Sequence, residues 1–302
     1  MKIVNLLGGL GNQMFEYAMY LALKNAHPDE EILCSTRSFR GYGLHNGYEL
    51  ERIFGIQVKE ASLWQLARLA YPFWNYRTWQ VANHLLPKRK SMTLGVTEIP
   101  YDKHEVERTD AVFYDGYWQN EEYFKQIRPI ILDTFQFPAF TDEKNKQLAE
   151  KLRMKNAVSC HVRRGDYLKH PMMCVCTPDY YTRAINRMNQ LVKPDLYCIF
   201  SDDIDWCREH IGKFCEGKEV VYVDWNKGEE SYRDMQLMSL CKHNIIANSS
   251  FSWWGAWLNQ NETKVVMAPE DWMNKRVINE PICKDWIRIE RGMMRDVTDN
   301  GA

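Results

Sequence analysis

Two arginines, Arg163 and Arg164, follow directly on the apolar run Ala157–Val162 in the stretch SCHVRRGDYL. Such a run reads as a buried strand, so the pair of guanidinium groups stands where the chain leaves the core. Arginine does not deprotonate at working pH, and its planar fork grips two oxygens of a phosphate at once. Successive residues of an extended chain point to opposite sides. One arginine then reaches toward a ligand while a carboxylate such as Asp166 holds the other, and His161 shares the side of Arg163. A plain surface pair between Arg164 and Asp166 is the simpler alternative.

A second strand end has similar chemistry. NSSFSWWGAW, residues 248–257, follows another apolar run and opens a helix. The hydroxyls of Ser249 and Ser250, with the unpaired N–H groups of a helix start, form an anion cradle. Taken alone, this is also an ordinary serine cap before an aromatic helix. Two anion-suited strand ends in one half of the chain suit a nucleoside diphosphate spanning them.

Three further patterns are less specific. GGLGNQ, residues 8–13, lacks the Gly-Lys-Ser/Thr of a P-loop and the third glycine of the dinucleotide fingerprint. It is a tight turn from strand to helix, with Asn12 at its mouth. Asp203 and Asp205 form an Asp-x-Asp pair of the kind that holds a divalent metal, but they stand behind Ser201 in a first helical turn, where acids are favoured by the dipole alone. The expectation is no metal site. The aromatic residues of 64–79 and 114–123 suit either a sugar-stacking face or core packing.

The elements that must position these groups alternate cleanly in the second half. Strand-like runs at 157–162, 196–200, 220–223, 244–247 and 264–268 are separated by helix-like segments near 178–191, 202–211, 230–242 and 251–259. That spacing predicts parallel βαβ units. The first half opens in the same way: a strand in KIVNLL, the glycine turn, a helix from Met14 to about Lys24, and a second strand in EEILCS. Residues 61–90 are aromatic-rich with helical period, 112–118 read as strand and loop, and 141–155 as a polar helix. The fold class expected is α/β: two Rossmann-like domains, 1–150 with a helical insertion and 151–302, facing a cleft at the carboxyl ends of their strands.

The whole chain bounds its partners. Its 302 residues carry 39 basic and 40 acidic side chains, a formal charge of -1. This gives no general attraction to nucleic acid, so any anion site is local. Nine scattered cysteines match no zinc spacing and suit reduced, buried thiols. No stretch of about 20 apolar residues is present, and a cytoplasmic enzyme is expected.

Taken together, GGLGNQMFEYA, HVRRGDY, FSDD and NSSFSWWGAWL, with GYWQNEEYF and APEDW, resemble the soluble bacterial α-1,2-fucosyltransferases of glycosyltransferase family 11 across almost the entire chain. The resemblance implies a glycosyltransferase B-type fold and transfer of fucose from GDP-β-L-fucose, with inversion, to the 2-hydroxyl of a terminal galactoside. It implies that Arg163 binds the β-phosphate and stabilises departing GDP, with Asn12 beside the reacting centre as the second catalytic residue. His161 and Asp234 would contact guanine, Arg164 and Asp166 would support the motif, and Ser249, Ser250 and Phe251 would line the phosphate side. No cofactor or metal is expected, the 151–302 domain would take the donor and the 1–150 domain the acceptor. The partners would be GDP-fucose and a galactose-terminated glycan of a surface polysaccharide or oligosaccharide, with at most peripheral membrane contact through a lipid-linked acceptor. Other acceptor linkages, another GDP-sugar, and a non-catalytic sugar-nucleotide-binding protein are the alternatives. Glu16, Asp115, Glu121 and Glu122 are all candidate general bases, and the sequence ranks none above the others.

Overall fold

The computed structural model describes residues 1–165, 167–169, 175–274 and 277–292. It divides the chain into two compact units, Met1–Ala139 with Val277–Cys283, and Phe140–Arg276 with Lys284 onward. The chain thus passes from the first unit to the second ahead of the helix Glu143–Met154, and a short later segment returns to the first.

The first unit is built on four parallel strands: β1 (Lys2–Asn5), β2 (Ile32–Ser35), β3 (Met92–Gly95) and β4 (Val112–Gly116), in the order β2-β1-β4-β3. Ile3 lies beside Leu33 on one flank and Phe113 on the other. All three turn the same way off the pleat and pack with Leu66, Leu69 and Phe73. The segment 61–90 forms two short helices, Leu63–Leu69 and Tyr76–Leu85. Each starts in a capping box, Ser62 with Gln65 and Asn75 with Thr78. Strand β3 has no counterpart among the strand runs read from the sequence; its four residues are too few and too mixed to stand out.

The second unit carries β5 (Ala157–Val162), β6 (Leu196–Ser201), β7 (Glu219–Val223), β8 (His243–Ile245), β9 (Val266–Pro269) and β10 (Ile287–Ile289), all parallel, in the order β10-β9-β8-β5-β6-β7. Counted from β5, this is the Rossmann order 3-2-1-4-5-6 read from the β7 side. β5 and β6 are buried along their whole length because helices cover both faces. On one face Val158, Cys160 and Val162 pack with Tyr180, Tyr181, Ile185 and Met188 of the helix Pro178–Val192. On the other, Ala157, Leu196, Cys198 and Phe200 meet Leu148 and Leu152 of Glu143–Met154 and Leu237 and Met238 of Tyr232–Leu240. Thr177 caps Pro178–Val192, which carries proline at N1 as its sequence predicts.

The fold is α/β with two Rossmann-like units. The eight described cysteines are buried.

Candidate functional site

In an open α/β sheet, ligands bind at the carboxyl edge where the strand order reverses. In the second unit the reversal lies between β5 and β8, and the sequence puts HVRRG at the end of one and NSSF just after the other. The site follows from that adjacency.

His161 is the last but one residue of β5 and is 6% exposed. Its ring lies 5.9 Å from that of Phe251, tilted by 38°. Burial and the neighbouring Arg163 charge push its pKa down to about 3, so the imidazole is neutral. Its Nδ1 is buried without a hydrogen-bond partner among the described residues. Phe251 also packs with the cluster containing Leu237 and Met238, so it joins the strand end to the helix that carries Asp234.

Arg163 and Arg164 leave the strand for different partners. Arg164 is fixed at three points. Its backbone N–H donates to Asp202 Oδ1 at 3.0 Å, its Nε donates to Asp203 Oδ2 at 3.1 Å, and its guanidinium lies 3.9 Å over the Trp206 ring. Arg163 is the more exposed: Nη1 lies 3.4 Å from Asp202 Oδ2, its guanidinium is 5.6 Å from the Tyr167 ring, and 29% of its side chain is exposed, against 17% for Arg164. One guanidinium is thus locked as support and the other retains access. Asp202 and Asp203 directly follow the neighbouring strand β6. Asp166 lies outside the described residues. Gly165 belongs to the same arrangement, because a Cβ there would come 2.8 Å from Asp202 Oδ2.

Asp202, Asp203 and Trp206 were not among the site residues read from the sequence. Val162 pairs in register with Ser201, so the residues after each strand, Arg-Arg and Asp-Asp, leave side by side, a register that the sequence alone does not carry. Ser201 does not cap the following helix directly. Its hydroxyl accepts from the Asp203 N–H, and Asp203 caps Ile204–His210 by accepting from Trp206. Asp203 is therefore committed to a helix start and to Arg164.

On the β8 side, Ser249 is the N-cap residue of Ser250–Trp257, with its side chain making no cap bond. Asn248 ties the two strand ends together: its carbonyl accepts from Tyr167 Oη at 3.2 Å, and its Nδ2 donates to the Trp272 carbonyl at 2.9 Å. The serine hydroxyls and the opening N–H groups of that helix stand beside the β5 end, as the sheet order requires.

Asp234 is held in a separate polar network. Its Oδ1 accepts from Asn226 Nδ2 at 2.8 Å, and Asn226 exchanges hydrogen bonds with Asn145. Burial pushes its pKa up to about 7, against the Asn226 donor and the Lys227 charge, which act in the opposite direction.

In the first unit, Asn12 lies within the helix Leu10–Ala26, which begins four residues earlier than the expected Met14. Gly9 is its N-cap residue and accepts from the N–H groups of Asn12 and Gln13. Gln119 donates to Asn12 Oδ1 at 2.8 Å. Beneath, Asp115 accepts from Asn5 Nδ2 at 2.9 Å, Asn83 Nδ2 at 3.2 Å and the Gly116 N–H at 3.0 Å. Glu16 is buried, accepts from the Leu7 N–H at 2.8 Å, and burial holds its carboxyl well above the ordinary range, with Asp115 adding to the rise. Both acids fix the β1–β4 edge. Glu122 pairs with Lys125 at 2.7 Å.

In the second unit a cationic fork, a helix start and a neutral imidazole thus meet at the switch point of a parallel Rossmann-like sheet, a set whose chemistry suits an anionic ligand. The sequence matches Glycosyl transferase family 11 over residues 97–290. It is 32% identical to the alpha-1,2-colitosyltransferase of Escherichia coli over 96% of this chain and 99% of that one. It is 30% identical to the O-antigen biosynthesis glycosyltransferase WbnK of Escherichia coli over 94% and 99%, and 26% identical to the galactoside alpha-(1,2)-fucosyltransferase 2 of Mus musculus over 86% and 69%. The chain belongs to glycosyl transferase family 11 and is a glycosyltransferase for a fucose-like sugar.

Proposed function

We propose that the chain moves L-fucose from GDP-β-L-fucose to the 2-hydroxyl of a galactose-terminated glycan. The acceptor oxygen attacks the anomeric carbon as the bond to the diphosphate breaks, so the configuration inverts. The observation that carries this reading is the meeting of Arg163, the Ser250–Trp257 helix start and the His161–Phe251 pair at the β5–β8 switch point. Such a set suits a nucleoside diphosphate leaving group.

Negative charge grows on the diphosphate as the bond breaks. The Arg163 fork, with the hydroxyls of Ser249 and Ser250, answers that charge without a metal ion. Arg164, braced by Asp203 and Trp206, holds the loop that presents it. His161, neutral and with a buried Nδ1, and Asp234 are assigned to the guanine edge, and Asn12 to the reacting centre. Asp115 and Glu16 are committed to the sheet edge, which makes them poor bases; no general base is assigned.

A second reading concerns the donor. The 32% identity to a colitosyltransferase supports colitose in place of fucose on the same leaving group. Mass spectrometry of products formed with lactose or N-acetyllactosamine in excess EDTA tests both. A product heavier by one deoxyhexose from GDP-fucose, linked to the galactose 2-hydroxyl, is the expected result. A product only from a colitosyl donor selects the second reading, and a strict Mn²⁺ requirement overturns the metal-independent mechanism.

A further inference from the structure

The stretch from Ala61 to Thr97 has no aspartate or glutamate, although at the chain's overall frequency 37 residues would carry about five. It does carry Arg68, Arg77, Lys88, Arg89 and Lys90. In a chain whose charges otherwise balance, this is a local cationic surface.

The same stretch exposes apolar bulk. Of thirteen large hydrophobic side chains exposed among the described residues, five fall between 64 and 86: Trp64 (87%), Leu85 (75%), Val81, Trp74 and Leu86. Their exposure follows from how the helices are seated. Tyr76, Trp79 and Asn83 form the inner stripe of Tyr76–Leu85. Tyr76 meets the Tyr42 ring edge-on at 4.9 Å and stacks on Trp79, while Asn83 donates to Asp115. The spacing i, i+4, i+8 then puts Arg77, Val81 and Leu85 on the opposite, outer side. No residue of that helix is buried.

The basic turn after the helix is fastened, not loose. Tyr71 Oη donates to the Pro87 carbonyl at 2.7 Å, and Arg89 donates to the Ala67 carbonyl at 2.7 Å while lying 4.5 Å over the Tyr71 ring. This brings Lys88 and Lys90 beside the Leu63–Leu69 helix, whose outer face shows Trp64 and, one turn on, Arg68. Glu31, which accepts from Gln65 of that helix, is paired with Lys59 at 2.9 Å. Exposed tryptophans among lysines and arginines, in a stretch with no acid of its own, are the pattern of a surface that rests in the headgroup layer of a bilayer. Helices of seven and ten residues are too short to span it. No helix among the described residues is long and apolar enough to cross a membrane.

We propose that this face, formed by Leu63–Leu69, Tyr76–Leu85 and the basic turn at 88–90, docks the enzyme on an anionic lipid bilayer. The tryptophans enter the interface and the cations meet the lipid charge. Co-sedimentation with phosphatidylcholine vesicles, with and without phosphatidylglycerol, tests it. The full chain should bind the anionic vesicles at low salt, leave the neutral ones, and be released as salt rises. Lys88→Ala with Lys90→Ala should lower partitioning by roughly 30-fold, at the worth of a basic residue near such a surface. Trp64→Ser with Leu85→Ser should also lower it. Transfer to a soluble acceptor and the far-ultraviolet circular dichroism of these variants should stay at the parent level, which separates docking from folding and from catalysis. Absence of binding to anionic vesicles at low salt, equal binding to neutral ones, or partitioning unmoved by both double variants overturns the proposal. Capture of an acidic protein without vesicle binding overturns it as well.

Discussion

The guanidinium of Arg164 lies over Trp206, 3.9 Å from the ring centre, while its Nε donates to Asp203, the residue that caps the helix bearing that tryptophan. A single short segment thus supplies both the counter-charge and the surface that orient one arginine of the pair. The neighbouring Arg163 lies 3.4 Å from Asp202 Oδ2 and 5.6 Å from the Tyr167 ring, with more of its side chain exposed than that of Arg164.

Arg163→Lys follows from that contrast. Lysine keeps the charge but loses the planar fork, so it cannot engage two oxygens of the leaving diphosphate. Turnover should fall by about 10²–10³-fold, the usual cost of one such donor, about 3–4 kcal/mol of barrier. The melting temperature should move little, because lysine keeps the charge that faces Asp202 and the side chain is partly exposed. Steady-state kinetics beside a thermal melt checks it, and near-parental kcat removes Arg163 from the reaction.

Trp206→Leu acts on the support instead. The stack over Arg164 is partly shielded, so its loss should cost about 1 kcal/mol of stability by urea unfolding. Turnover should drop less than for Arg163→Lys, because the Asp203 bond remains. A larger kinetic effect from Trp206 than from Arg163 would reverse the roles assigned to the two arginines.

His161 predicts an acid-sensitive fold. Its folded pKa is pushed to about 3, below the ordinary 6.5, so the unfolded chain takes up a proton that the folded one refuses. Its contribution is fully present above about pH 6.5 and is lost as pH falls toward 3, at up to about 1.4 kcal/mol per pH unit. In His161→Gln that component should vanish, flattening the acid limb of stability between about pH 6 and 4 in urea titrations. An unchanged slope would mean that the imidazole titrates normally.

Much of this was legible in the sequence, and the reason is the length and purity of the buried runs. β5, β6 and their helices announce themselves because a strand covered on both faces is apolar throughout, and Thr177-Pro178 marks a helix start by chemistry alone. β10 and β3 were missed because edge strands of three and four residues carry no such run. The Leu10–Ala26 helix was placed late since its first turn is made of Leu-Gly-Asn-Gln, a composition that looks like a loop; the tertiary fit of Gln13, bonded to the carbonyls of Gly8 and Gly47, overrides the propensity. The arginine cluster was found but its contacts with Asp202, Asp203 and Trp206 were not, because pairing between strands nearly forty residues apart appears only once the register is known.

Gly8→Ala tests the other sheet edge. Gly8 has φ of 92°, where a Cβ is strained, and a Cβ there would come 2.9 Å from Asn12 Nδ2 and 3.2 Å from the Tyr117 ring. The substitution should cost about 1–2 kcal/mol of stability and displace Asn12 from Gln119. With Asn12 assigned to the reacting centre, kcat should fall more than KM rises. A change in KM alone would take Asn12 out of that role.

Asp234→Asn should separate stability from donor binding. The folded carboxyl titrates at about 7, well above the ordinary 3.8, so the native state loses stability as pH rises from about 4 through 7. Asparagine removes that slope and can still accept from Asn226 through its amide oxygen. The carboxyl is only partly enclosed at its surface, so the gain at pH 8 is set at on the order of 1–2 kcal/mol rather than the full shift. Donor binding should move the other way. A carboxylate accepts from two N–H groups of a guanine edge where the amide accepts from one, so GDP affinity should weaken by about 1–3 kcal/mol, read by calorimetry. In the parent, the same affinity should decline below about pH 7 as Asp234 takes its proton. A stabilised variant that binds GDP as tightly as the parent would leave Asp234 as a buried structural acid and place the guanine edge elsewhere.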